Sequence, residues 1–170
     1  MDGASGTTGT DGNSIQNGLT PEGLWRFCLS HYEDPDVKHA CLALQDKHQG
    51  NVNLALMLIW LESRGFSLDD ASLDRLELAL EHSAFLLDDY RQIRREVKRQ
   101  IDITLYRKML GFELKLEQQQ QKDLVAALNQ ETWLMDEESV VKRYCRRLTP
   151  NAAYLYNALM HGNTTATTPK

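Results

Sequence analysis

No apolar run in this chain exceeds eight residues, Leu54 to Leu61, whereas a bilayer-spanning helix needs about 20, so a transmembrane segment is excluded. Catalytic signatures are missing as well. No glycine-rich phosphate loop follows a strand, and neither His-Glu-x-x-His, Gly-x-Ser-x-Gly nor Cys-x-x-Cys occurs. Nothing in the sequence asks for a cofactor, and no catalytic residue can be named. Cysteine is sparse, three in 170 residues. That odd count, without a secretory apolar segment near Met1, points to reduced thiols and a cytoplasmic location rather than a disulfide framework. Bases are outnumbered, 19 Lys and Arg against 24 Asp and Glu, for a net charge of −5. This excludes coating of nucleic acid through the whole surface, so any anion binding must be local.

What is present is a soluble, globular composition, 42% hydrophobic and 25% charged. Residues 1–18 are almost wholly Gly, Ser, Thr, Asn and Asp up to Ser14. They have little apolar surface to offset the entropy of ordering and are expected to be disordered, as is the tail 162–170. Residues 19–161 form one helical domain's worth of chain, large enough to bury about two-thirds of its unfolded surface without a metal or disulfide staple.

No stretch alternates with period two over strand length, so the expected class is all-α: a compact bundle of six or seven helices. Thr20-Pro21, Asp34-Pro35 and Thr149-Pro150 each read as an N-cap followed by a first helical residue. They predict helices from Pro21 to about Tyr32, from Pro35 to about Gln49, and from Pro150 to about Met160. Gly50 supplies a left-handed stop for the second. Asn51 or Asn53 caps Leu54–Leu61, which ends at Arg64-Gly65 and forms a central helix buried on every side.

A long amphipathic helix follows from Ser72 to Arg99, about 42 Å at 1.5 Å per residue. Its apolar face carries Leu76, Ala79, Ser83, Leu86, Tyr90, Ile93, Val97 and Ile101. After a break near Ile101 to Thr104, Leu105, Met109, Phe112 and Leu116 make a new stripe. Gln118 to Gln121 interrupt it with a solvated helical stretch before Leu124, Val125 and Leu128 restore burial. Asp136 caps a helix bearing Val140, Val141, Tyr144, Cys145 and Leu148.

Charge is segregated along the long helix: seven acids and one base from Leu68 to Asp89, then seven bases and two acids from Tyr90 to Lys108. The helix dipole favours that order. Arg91, Arg94, Arg95, Lys98 and Arg99 form one basic stripe opposite the apolar face; Lys142, Arg143, Arg146 and Arg147 form a second. Side by side they would suit phosphate, an acidic protein surface or a nucleic-acid backbone; otherwise they are solvated faces paired with Asp88, Glu96 and neighbouring acids.

Cys28-x-x-His31, His39-x-Cys41 and His48 have metal-ligand chemistry, but Cys28 and Cys41 fall on apolar faces and read as buried thiols, so no metal site is assigned. Asp69, Asp70, Asp74, Glu77 and Glu81 share an exposed face unsuited to shifting a carboxyl for acid–base work. Gln45, Asp46, Asn51 and Asn53 flank the turn before the buried helix. Their expected role is structural, Asp46 and the asparagines satisfying free N–H groups at the helix start; a ligand pocket is the alternative.

The segment from Leu24 to Gly65 resembles the N-terminal signature of a bacterial family of hypothetical proteins, a domain of unknown function. The pattern is (F/L)W-x-F, a Pro-started helix, then ACLxLQDxHxxxVNLxLxxxW. Here these are Leu24, Trp25 and Phe27; Pro35; Ala40 to Leu42, Leu44 to Asp46 and His48; and Val52 to Leu54, Leu56 and Trp60. The similarity continues weakly through IRREVKR and LYRKMLGFELKLE. The resemblance implies a compact, helical, cytoplasmic protein and carries no reaction or ligand across. Together these observations favour a non-enzymatic interaction or adaptor module with a protein partner. The alternative is nucleic-acid backbone binding through the two basic stripes. No membrane partner is expected, and the oligomeric state is open.

Overall fold

Local capping chemistry sets the helix starts. The computed structural model describes residues 19–135 and 137–161 and contains seven helices among them, with no strand. The expectations for residues 1–18 and 162–170, and for Asp136 as a cap, lie outside the described residues. Thr20 accepts the Gly23 N–H to begin α1 (Pro21–His31), and Asp34 accepts those of Asp36 and Val37 to begin α2 (Pro35–His48). Asn51 caps α3 (Val52–Ser63) through the Leu54 N–H. Asp69 caps α4 (Asp70–Val97) and Asp102 caps α5 (Ile103–Leu128) in the same way, through Ser72 and Leu105. Ser139 caps α6 (Val140–Leu148), and α7 spans Ala152–His161. Each such cap satisfies at least one of the donors a helix start leaves open, worth about 1 kcal/mol.

Two local expectations are corrected. α7 begins at Ala152 rather than Pro150, because Thr149 turns the chain first, its hydroxyl accepting the Asn151 N–H. The left-handed residue ending α2 is Gln49, with φ 55°, and not Gly50. Gly50 is needed for a different reason: a Cβ there would lie 2.7 Å from both Leu44 Cδ2 and Leu148 Cδ1. Leu148 comes from α6, so the constraint was invisible along the chain. Gly65, with φ 86°, does end α3 as expected.

α3 is the centre of the molecule. Every residue from Asn53 to Leu61 is buried, with α1, α2, α5 and α6 packed around it. Burying a Leu, Ile or Met side chain contributes about 1.5–3 kcal/mol, so this one helix anchors the hydrophobic core. Its C-terminal end is tied to α6 by the Glu62 carboxylate, which accepts from the Val141 N–H at 2.9 Å and the Ser139 hydroxyl at 2.5 Å. A negative group at a helix N-terminus is favoured by the helix dipole. α6 and α7 pack on each other and α7 also covers α2, while α4 packs chiefly on α5 as a long antiparallel hairpin. At 28 residues α4 is about 42 Å long.

Candidate functional site

Three groups of residues are the candidates: a buried polar centre, the basic stripes, and one face of the α4/α5 hairpin.

Asn53 enters the core on the first turn of α3, where the neighbouring side chains offer it no hydrogen bond. Its partners come from α5. Gln120 Oε1 accepts from Asn53 Nδ2 at 2.9 Å and from Asn51 Nδ2 at 3.1 Å, and Gln120 Nε2 donates to the Ser83 hydroxyl of α4 at 3.0 Å. Gln121 Nε2 donates to Asn53 Oδ1 at 3.0 Å and approaches Cys28 Sγ of α1 at 3.5 Å. The Asn51 N–H donates to Tyr144 Oη of α6 at 2.8 Å. This network joins five helices. It also corrects the expectation of a solvated helical stretch at Gln120 and Gln121, which are 2% and 3% exposed, while Gln119 is exposed as expected. One signal was available, since Gln120 falls midway between Leu116 and Leu124 at four-residue spacing, on a single helix stripe.

Asp46 does not cap α3, as expected of it; Asn51 does so alone. Asp46 is exposed, near Gln45 Nε2 at 3.5 Å and Arg95 at 3.4 Å. Gln45, Asp46 and Asn53 are therefore divided, with Asn53 in the network and the other two at a surface groove. That groove runs between α2 and α4 and brings Gln45 and Asp46 beside Arg91, Gln92, Arg95 and Glu96. A smaller cleft of about 200 Å³ lies next to it, lined by Trp25, Cys28, Tyr32, Asn53, Leu114 and Gln121 among others. Small-molecule pockets usually enclose about 300–1,000 Å³. Burial pushes the Cys28 thiol and the Tyr32 phenol each up to about 12, so both stay protonated and neither supplies a nucleophile or base at neutral pH. Burial likewise raises Cys41 to about 12 and Cys145 to about 11. His31 Nε2 is bound to the Leu159 carbonyl at 2.8 Å. Among the described residues no group of three or more His, Cys, Asp or Glu converges as metal ligands would.

The basic stripes are largely tied up in ion pairs. Arg91 and Arg94 turn toward α5, their side chains 13% and 14% exposed. Arg94 pairs with the buried Glu113 and reaches Tyr106 Oη at 3.1 Å; Arg91 meets Glu117 at 3.0 Å, Asp88 at 3.1 Å and Glu113 at 3.6 Å. Lys98 sits 5.5 Å from the Tyr106 ring centre, and Arg95 and Arg99 are exposed. In the second stripe Arg143 bonds Asp70 at 2.8 Å, and Arg147 bonds Asp74 at 2.6 Å and also Glu77. Arg146 pairs with Glu138 at 2.6 Å, and Lys142 lies 5.0 Å from the Tyr156 ring centre. The Arg143 hydrogen bond holds the Asp70 carboxyl below the usual carboxylate range. The second stripe thus grips the acidic start of α4, whereas the first occupies its far end. Glu77 and Arg91 are separated by 14 residues, about 21 Å along the helix. The two do not merge into one patch.

On the hairpin the apolar stripes face elsewhere than expected. α4 meets the core with Leu73, Leu76, Leu80 and Leu87, then turns Arg91 and Arg94 to α5. Leu86 and Ile93 are both 53% exposed, and on α5 Leu105 and Phe112 are 46% and 51% exposed. Tyr90 Oη donates to the Met109 carbonyl at 2.8 Å, and the Tyr90 and Phe112 rings lie 5.5 Å apart. The two stripes therefore run side by side and form one apolar face open to solvent.

A family model described as Protein of unknown function (DUF2390) matches residues 23–124, more than half of the chain. The match takes in the polar centre apart from Tyr144, the first basic stripe and the hairpin face, and leaves out α6 with the second stripe. No curated protein and no solved structure matches the chain.

Proposed function

The chain belongs to the DUF2390 family, and we propose that it is a non-enzymatic protein-interaction module that binds through the apolar face of the α4/α5 hairpin. The observation that carries this reading is the exposure of Leu86, Ile93, Leu105 and Phe112 in two adjoining stripes. A contiguous apolar face rimmed by charge marks an interaction surface, where single exposed apolar residues need no explanation. The raised thiol and phenol values and the small cleft argue against chemistry at the polar centre. Pairing of Arg91, Arg94, Arg143 and Arg147 with acids weighs against the nucleic-acid alternative, since each would exchange an intramolecular carboxylate for a phosphate. A cytoplasmic location is part of the proposal, supported by three cysteines that are all free.

The test places a photo-crosslinking residue at Phe112 in one version of the full chain and at Leu42 of α2 in another, both in the cell of origin. The reading expects defined protein adducts from position 112 and none from position 42. Equal, diffuse labelling from both positions refutes it.

A further inference from the structure

Resting on that reading, we propose that the occupant of the hairpin face is a second copy of this chain, the two hairpins closing into a four-helix bundle. Leu86, Tyr90, Ile93 and Val97 recur at intervals of four, three and four residues, and Leu105, Met109, Phe112 and Leu116 repeat the same intervals on α5. These are the a and d spacings of a heptad, the pattern by which helices present a seam to another helix pair. Two such seams side by side on an antiparallel hairpin are half of a bundle core.

The charged borders decide what completes it. Asp89 and Glu96 follow the outer edge of the α4 seam, and Lys108 and Lys115 follow the outer edge of the α5 seam. All four are exposed, and none takes part in an ion pair among the described residues. The hairpin register, read from Tyr90 against Met109 and Ser83 against Gln120, sets Glu96 level with residues 103 to 107 and Asp89 level with residues 110 to 114, so Lys108 and Lys115 lie about 1.5–7.5 Å along α5 from those levels. A two-fold axis lying in the face and parallel to the helices places α4 of one copy over α5 of the other at the same height. Each Glu96 then lies within side-chain reach of Lys108 of the second copy, and each Asp89 within reach of Lys115 of the second copy. An axis across the helices would instead stack acid edge on acid edge. The surface is thus complementary to itself under one symmetry operation, as a two-fold dimer requires.

Sedimentation equilibrium of the full chain tests this. The expected result is a concentration-dependent mass of twice 19.4 kDa, lost in Phe112→Glu while circular dichroism shows its helices intact. Glu96→Lys and Lys108→Glu should each weaken association about tenfold, and an equimolar mixture of the two should regain it, because opposite charges then meet across both borders. A mass of 19.4 kDa at every concentration up to roughly 1 mM overturns the proposal. So does a dimer that survives Phe112→Glu, or a mixture no tighter than its components. A monomer whose Phe112 position still crosslinks another protein leaves the interaction reading standing and refutes only the second copy. A monomer without such adducts refutes both.

Discussion

Replacing Asn53 by Leu should separate a structural polar centre from a reserved binding site. The substitution removes the 2.9 Å bond to Gln120 and the 3.0 Å acceptor of Gln121. Gln120 Oε1 keeps Asn51 Nδ2 at 3.1 Å, so that side of the loss is one ordinary hydrogen bond, about 1 kcal/mol. Gln121 fares worse. Its Nε2 retains only the Cys28 sulfur at 3.5 Å, and its Oε1 has no partner in the native fold. Leaving that amide stranded in the core costs a further 1–3 kcal/mol or about that, giving about 3 kcal/mol in all. The double variant Asn53→Leu, Gln121→Met removes the stranded amide together with its acceptor and should come back to within about 1 kcal/mol of the native chain, recovering about 2 kcal/mol of the loss in Asn53→Leu. Urea unfolding followed by far-ultraviolet circular dichroism, compared at equal denaturant slopes, measures all four corners of the cycle. A single variant that loses less than about 0.5 kcal/mol, or strictly additive losses in the double, would falsify the structural account of these two residues.

The glycines give a second test. Gly50→Ala drives a methyl group to 2.7 Å from Leu44 and Leu148 and should destabilise by about 1–3 kcal/mol. Gly111→Ala, inside α5 with nothing within 4 Å of the new Cβ, should stabilise by about 0.5–1 kcal/mol; the same unfolding curves read both. The acid limb of stability gives a third. Glu131 is held below its ordinary pKa by its hydrogen bonds from Arg75, as Asp69 is by the Ser72 N–H and Asp70 by Arg143. With folded values below unfolded ones, their contribution is complete above the ordinary carboxylate range and is lost as pH falls through the depressed values. Glu131→Gln should therefore flatten the fall in unfolding midpoint below about pH 4 and leave its slope near neutrality unchanged.

The starts of α1, α2 and α3 were legible because a cap is a local event: Thr20, Asp34 and Asn51 act on N–H groups within three residues. α3 was legible for a different reason, since a run from Leu54 to Leu61 with no polar side chain has nowhere to lie except inside. The site was not legible in the same way. Periodicity shows that α4 has an apolar face but not which neighbour lies against it, and one residue is a turn of about 100°. α5 lies against the side carrying Leu87, Arg91 and Arg94, leaving Leu86 and Ile93 at its flank. What makes that choice tolerable is pairing over distance. Glu113 and Glu117 come to the arginines from 19 and 26 residues away, and Gln120 comes to Asn53 from 67. Read one residue at a time, each of these groups belongs in water; only as partners do they belong inside, because a buried charge or amide is tolerated when its counterpart is buried with it. The distal hairpin thus holds charge between its helices and turns leucine, isoleucine and phenylalanine to the flank, the reverse of the order found in its proximal half. Closure against another such flank is the arrangement we propose to bury it.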